Sequence, residues 1–220
     1  MIRIAIDGPS GSGKSTLAKA VARELGIIYV DTGALYRTVG YNVFLNGKDP
    51  HDPKQVQEIL KNTNIELKYE KGAQRVILNG EDLGDKIRMP EMSMYASLVS
   101  SIPEVREFLL EMQKKMAREH SVVMDGRDIG TVIIPDADIK IFLTASNETR
   151  AKRRTLELLS KGVEVKYEDV LADMIERDKN DKNRDIAPAI PADDAIIFDN
   201  SVMSVEDSLK EIVRLVNERK

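Results

Sequence analysis

Residues 8–15 read Gly8-Pro9-Ser10-Gly11-Ser12-Gly13-Lys14-Ser15, which satisfies the pattern G-x-x-x-x-G-K-[ST]. The chemistry open to this pattern is the holding of a polyphosphate. Glycines allow the backbone dihedrals that turn successive N–H groups into one anion-sized nest. Lys14 can reach β- and γ-phosphates, and the Ser15 hydroxyl can ligate magnesium. Four fixed positions match by accident in about 1% of chains this long, so context has to carry part of the argument. Here a short apolar run, 2–7, precedes the loop, and a helical pattern, 16–25, follows it and stops at Gly26. A helix start adds its unsatisfied N–H groups and the positive end of its dipole to the nest. Gly8, Pro9, Ser10, Gly11, Ser12, Gly13, Lys14, Ser15 and Thr16 are therefore expected to bind a nucleoside triphosphate.

Four further clusters carry charge in a pattern. Asp125-Gly126-Arg127-Asp128 ends an apolar run, and a carboxylate at the C-terminal end of a strand suits the second half of a nucleotide site. A capped strand-end turn is the plainer alternative. Arg150, Arg153 and Arg154 share one face of a helix spanning 147–161. They either neutralise a migrating phosphoryl group from a mobile lid or form a solvated face answered by Glu157. Arg177, Asp181 and Arg184 fall on one helical face if the helix from Tyr167 continues, while Asp178 and Lys182 offer an ordinary surface pair. In Asp31-Thr32-Gly33-Ala34-Leu35-Tyr36-Arg37, a hydroxyl beside a helix start with an arginine one turn on could hold a second phosphate. An N-cap at Asp31 or Thr32 explains the same residues more simply.

The elements that must position these groups alternate between strand and helix. Runs at 27–30, 121–125, 138–143 and 195–199 read as buried strands. Leu35, Val39 and Val43 mark a helical stripe. Pro53 is expected to start a short helix through Lys61, and a terminal amphipathic helix runs from Ser204. Residues 64–70 and 74–79 look like two alternating strands joined at Gly72, with a further turn at Asn79-Gly80. They interrupt the alternation and mark an insertion over about 62–88. Pro90 and Pro103 each stand at a plausible helix start. The second of these helices carries Val105, Phe108, Leu109, Met112 and Met116 on one face, read as core packing. Parallel strands with crossover helices imply an α/β sheet covered on both faces.

The 220 residues suit one domain, 42% hydrophobic and 32% charged. A net charge of −4 argues against a dedicated nucleic-acid binder, which needs a basic face. The absence of cysteine excludes disulfides and thiolate chemistry and fits a reducing cytoplasm. No targeting signal or membrane span is expected.

Taken together, these segments resemble the bacterial-type cytidylate kinases. The matching stretches are 6–16, 31–37, 125–131, Pro135-Asp136-Ala137, Arg153-Arg154, 176–184 and Ala187-Pro188, and they cover nearly the whole chain in the family's order. The resemblance implies one P-loop kinase domain over 1–220, a five-stranded parallel sheet with helices on both faces. It also implies a small antiparallel monophosphate-binding insertion at about 62–101 and a helical lid at about 147–167. It implies transfer of the γ-phosphoryl group of ATP to CMP or dCMP, with magnesium, and catalytic roles for Lys14, Arg153 and Arg154. Thr32, Arg37, Arg127 and Arg184 would hold the acceptor phosphate. Ser97, Arg106 and Asp128 would read cytosine, and Arg177 and Asp181 would face the ribose. The hydrogen-bonding edge of cytosine agrees, since Asp128 and Ser97 can accept from the N4 amino group and Arg106 can donate to N3 or O2. ATP and CMP or dCMP are thus the expected partners, with neither nucleic acid nor membrane, in a cytoplasmic monomer. Another small-molecule kinase or a nucleotide-regulated binding module are the rivals. No N-K-x-D guanine-reading motif is present, and two arginine sets suit two phosphorylated ligands.

Overall fold

Short apolar runs with β-branched residues become strands, and amphipathic runs between them become helices. A computed structural model describes residues 1–70, 73–89 and 91–219. In chain order it gives β1 (Arg3–Asp7), α1 (Lys14–Leu25), β2 (Ile28–Asp31), α2 (Thr32–Leu45), α3 (Pro53–Leu60), β3 (Ile65–Glu70), β4 (Ala73–Leu78), β5 (Glu81–Asp82) and α4 (Met92–Val99). Then follow α5 (Pro103–Glu119), β6 (Val122–Gly126), β7 (Ile139–Thr144), α6 (Asn147–Ser160), α7 (Tyr167–Asn183), β8 (Ile196–Asp199) and α8 (Val205–Glu218). A wide helical turn at Ile129–Ile133 follows β6.

The main sheet has the order β2-β6-β1-β7-β8, and each neighbouring pair is parallel. Side chains alternate across it. Ile4 and Ile6 pack with Leu17, Val21, Ile212 and Val216 from α1 and α8. Ala5, on the opposite face, joins Val30, Met124, Ile129, Ile133 and Ala117. Both faces are therefore dry, as the unbroken apolar strands require. All five strands run the same way, so their C-terminal ends share one edge, and Asp7, Asp31 and Asp125, at the ends of β1, β2 and β6, meet there.

β3, β4 and β5 form a separate antiparallel sheet. The third strand was not foreseen: a two-residue strand after the Asn79-Gly80 turn has no periodicity to read. The predicted turn at Gly72 and helix start at Pro90 lie outside the described residues. This sheet and helices α2 to α5 share one core, with Leu35, Val39, Val43, Val56, Ile65, Val76, Met92, Val99, Val105 and Leu109 buried. Phe108 and Met112 pack against it, as expected for the face of α5. The insertion also hooks onto the open edge of β2. Gln74 Oε1 accepts from the Asp31 amide (2.8 Å) and Gln74 Nε2 donates to the Asp31 carbonyl (3.2 Å). One side-chain amide thus acts as the missing strand neighbour of the residue that ends β2 and caps α2.

Gly40 in α2 faces α4 so closely that an added Cβ would lie 2.8 Å from Tyr95 Cβ and 3.2 Å from its backbone carbon. A helical Gly→Ala change ordinarily gains about 1 kcal/mol. Here overpacking outweighs it, and Gly40→Ala is expected to lose about 1–3 kcal/mol. Urea denaturation checks the sign, and a stabilised variant would contradict the close approach.

Candidate active site

The phosphate loop starts where β1 ends. Gly8 takes φ 144°, and a Cβ there would stand 2.0 Å from the Leu143 carbonyl oxygen, so only glycine lets the loop cross β7 at this point. Gly13, left-handed, caps α1, which begins at Lys14, two residues before the expected start at Thr16. Lys14 is buried and donates from Nζ to the Pro9 carbonyl (2.6 Å) and to Ser12 Oγ (3.4 Å). Burial first, and the Arg127 charge next, push its ammonium well below the ordinary lysine range. A polyphosphate in the loop opposes both effects.

Ser15 Oγ donates to Asp125 Oδ2 (2.7 Å), and Tyr29 donates to Asp125 Oδ1 (2.8 Å). Burial, then the Asp31 charge, raise the Asp125 carboxyl above its usual range. A hydroxyl and a buried carboxylate side by side form a hard oxygen set that fits magnesium, which takes few protein ligands and completes its shell with water and phosphate oxygens. A positive ion there would relieve the crowding of Asp125 and Asp31. Sequence reading singled out Asp125 as half of a nucleotide site but did not pair it with Ser15, because 110 residues separate them.

Across the cleft, Asp31 is the N-cap of α2, accepting from the Ala34 amide (2.8 Å) and from Arg37 (2.9 Å). Thr32 Oγ1 donates to the Asp125 carbonyl (2.8 Å). Asp181 binds Arg127 Nε (3.0 Å) and Ser97 Oγ (3.0 Å), with Arg177 Nε 3.9 Å away. Asp128 pairs with Arg106, which lies over the Tyr36 ring, and stands 3.6 Å from Arg184. The structure thus brings all of these predicted residues together, with Ser97 on Asp181 rather than beside Asp128. Among the described residues, Arg177 Nε and Arg184 Nη2 are buried donors without a hydrogen-bond acceptor. Burial, then Arg127, lower Arg177 to about 10. Burial pushes the Asp181 carboxyl up, but Arg127, Arg177 and Arg184 hold it below its usual range. Lys14, Ser15, Arg37, Asp125, Arg127, Arg153, Arg154 and Arg177 line one cavity of about 1360 Å³.

Several expected pairings give way to tertiary ones. Helix α7 ends at Asn183, and Arg184 is extended, its Nε donating to the Ala187 carbonyl (2.7 Å). The turn takes Arg184 off the helical face and points it at Asp128. Asp178 does not pair with Lys182; it takes Arg150 and the Ser10 amide. Glu157 answers Arg154 and Lys161, not Arg153. Arg153 instead donates to Asn200 Oδ1 (3.0 Å) and to the Asn200 carbonyl (2.9 Å), while Asn200 Nδ2 donates to the Ser12 carbonyl (3.0 Å). Asn200, after β8, was missed, since nothing in its neighbourhood distinguishes it from an ordinary turn.

Asp7 was missed as well. Its buried carboxylate accepts from the Ile129 amide (2.8 Å) and the Gly130 amide (2.7 Å), tying the root of the phosphate loop to the turn after Asp128. Burial raises its pKa to about 7, against the lowering effect of those two amides. The folded protein therefore binds this proton more tightly than the unfolded chain does. Its contribution to stability is fully present below the unfolded value of 3.8 and is lost as pH rises through about 7. The stability of the wild type relative to Asp7→Asn is expected to fall by at least about 1 kcal/mol between pH 5 and 8, as linkage requires. Urea denaturation of both proteins across that range measures it, and a pH-independent difference would contradict the assignment.

The cytidylate kinase family model matches residues 4–218. The chain is 52% identical over 214 residues to a cytidylate kinase of Caldicellulosiruptor bescii, covering 97% of this chain and 95% of that one. It is 50% identical over 217 residues to a cytidylate kinase of Fervidobacterium nodosum, covering 99% and 97%. A solved structure of an uncharacterized protein from Eubacterium ventriosum superposes with a TM-score of 0.53 at 17% identity, covering 99% of each chain, which is a likeness of fold. The loop, the strand-end carboxylates and the arginine cleft therefore sit in a sequence that matches one family from end to end: this chain belongs to the cytidylate kinases.

Proposed function

We propose that ATP lies along residues 8–16 and that CMP or dCMP lies in the cleft of Arg37, Arg106, Arg127, Arg177 and Arg184, so that the γ-phosphoryl group passes in line from one to the other. The observation that carries the reading is the charge balance of that cleft. Two buried carboxylates, Asp128 and Asp181, stand among Arg106, Arg127, Arg177 and Arg184, while Arg37 pairs with Asp31, and Arg177 and Arg184 each keep a buried donor unused. A monophosphate, with about −1.5 to −2 charge at pH 7, balances the excess.

The transfer needs no protein nucleophile, so positioning and charge stabilisation do the work. Lys14 leaves the Pro9 carbonyl for the β- and γ-phosphates, where charge redistributes as the bond breaks. Ser15 and Asp125 would hold magnesium, which when bound would supply further positive charge to the phosphate oxygens. Arg154 and Arg153, on the lid formed by α6 and the following loop, approach the migrating group. Arg127 and Arg37, with Thr32, hold the acceptor phosphate so that its oxygen faces the γ-phosphorus. Asp128 accepts from cytosine N4, and Arg106, released from Asp128, donates to the acceptor edge. Asp181 faces the ribose. It keeps Arg127 and Ser97 when the 2′-hydroxyl is missing, so a deoxyribose strands no carboxylate. Among the described residues no helix is long and apolar enough to cross a membrane, and we take the enzyme to be a cytoplasmic monomer working on these two nucleotides.

UMP offers an oxygen where CMP has an amino group, and a proton at N3. Each mispaired contact costs roughly 1–3 kcal/mol, so kcat/KM for UMP is expected to fall about ten- to a hundredfold or more below CMP and dCMP. AMP and GMP add bulk and should be poorer still. Asp128→Ala should narrow the CMP/UMP ratio by losing CMP activity, with a thermal melt confirming that the variant is folded at the assay temperature. An unchanged ratio, or equal use of UMP and CMP by the wild type, would refute the assignment of cytosine reading to Asp128.

A further inference from the structure

Arg150 shares its helix with Arg153 and Arg154, but its guanidinium is turned inward and is spent on protein groups. Its Nε donates to the Ala145 carbonyl (3.0 Å), Nη1 to the Ser10 carbonyl (2.7 Å) and to Asp178 Oδ2, and Nη2 to Asn147 Oδ1 (2.5 Å). The residue is 4% exposed. The other oxygen of Asp178, in α7, accepts from the Ser10 amide (3.0 Å). One ion pair, Arg150 buried and Asp178 half-buried, therefore holds both ends of a single residue of the phosphate loop, the carbonyl through Arg150 and the amide through Asp178. The next residue shows how close the helices come. Gly11 has φ 71°, and a Cβ there would lie 2.7 Å from Met174 Cε in α7 and 3.2 Å from the Arg150 carbonyl oxygen in α6.

We propose that Arg150 and Asp178 are positioning residues for ATP, a clamp that orients the two peptide groups meeting at Ser10 and thereby aims the amides of the loop at the triphosphate. This rests on the reading of residues 8–16 as the ATP site. The physical case is one of geometry. A pair with one buried and one half-buried partner adds little net stability over apolar residues of the same size, because desolvation of the arginine and solvent screening at the aspartate offset the attraction. An apolar pair could pack α6 against α7 equally well. It could not offer a donor to the Ser10 carbonyl and an acceptor to the Ser10 amide at once. The Ser10 N–H is also directed away from the nest and towards Asp178, which fixes the rotation of that peptide and hence the start of the turn through Gly11, Ser12 and Gly13. Because the clamp spans both helices of the hairpin that carries Arg153 and Arg154, it also sets the height of those arginines above the loop.

The test separates positioning from plain stability. Asp178→Ala, Asp178→Asn and Arg150→Met are assayed with ATP varied at saturating CMP and with CMP varied at saturating ATP. ADP binding is measured by calorimetry, and a thermal melt is run on each variant. Misplaced loop groups are expected to raise the KM for ATP and the Kd for ADP about tenfold or more in Asp178→Ala, with the KM for CMP within about twofold of wild type. Asp178→Asn keeps a carbonyl oxygen for the Ser10 amide and should recover part of the loss. Should Asp178→Ala or Arg150→Met melt below the assay temperature, Asp178→Asn decides: a selective rise in the KM for ATP supports the clamp, and an unchanged one overturns it. A native KM for ATP and Kd for ADP in a folded Asp178→Ala, or equal rises for ATP and CMP, also overturns it. Lys14→Ala is run beside them. If that variant keeps the wild-type kcat, the ATP-site reading itself fails; if it is inactive while Asp178→Ala binds ADP normally, only the clamp fails.

Discussion

Burying like charges near each other is the constraint around which this molecule is arranged. Arg106, Arg127, Arg177 and Arg184 converge behind the C-terminal edge of the sheet, where each would repel the others at low dielectric. Asp128 and Asp181 make the arrangement foldable, each shared between two arginines. They do not make it neutral. The residual positive charge, with two buried guanidinium donors left over, is the feature on which the proposed monophosphate site rests. The same logic runs in reverse at Asp125, a buried carboxylate crowded by the Asp31 charge, which meets the Ser15 hydroxyl and suits a cation.

Topology brings these groups to one place. A parallel sheet sends every strand end to the same edge, so Asp7, Asp31 and Asp125 come to lie together although each stands at the end of a different strand. Around that edge, tertiary hydrogen bonds link the loops to one another. Asp7 ties the root of the phosphate loop to the turn beyond Asp128, Gln74 ties the insertion to Asp31, and Asn200 ties Arg153 to the Ser12 carbonyl. Binding on either side is thus held by contacts that reach across the sheet.

What the sequence disclosed followed from the range of the interactions involved. The phosphate loop was legible because its glycines, lysine and helix start are local and obey fixed spacing. The five strands were legible because burial on both faces demands unbroken apolar runs; their ends differ from expectation by a residue or so. Arg177 and Asp181 could be placed on one face because a single helix carries both. The reading failed where partners are distant: Asp178 could not be matched to Arg150, Asp7 to Ile129, or Asn200 to Ser12, and the local pairs that spacing favoured, Asp178 with Lys182 and Glu157 with Arg153, lost to them. Arg184 shows a different limit. Helical periodicity was carried one residue too far, past the turn that Ala187 and the Arg184 side chain close together. Base-reading roles for Ser97, Arg106 and Asp128 came from family resemblance, since no spacing rule links three residues on three separate elements.

The central claim is direct transfer between two bound nucleotides, without a phosphorylated enzyme. It is tested most directly by following ATP labelled in its γ-phosphoryl group. With CMP present, the label should appear in CDP in step with ADP; with CMP withheld, the protein should carry none. Label on the protein, or ADP formed with label in inorganic phosphate and none in CDP, would contradict the account.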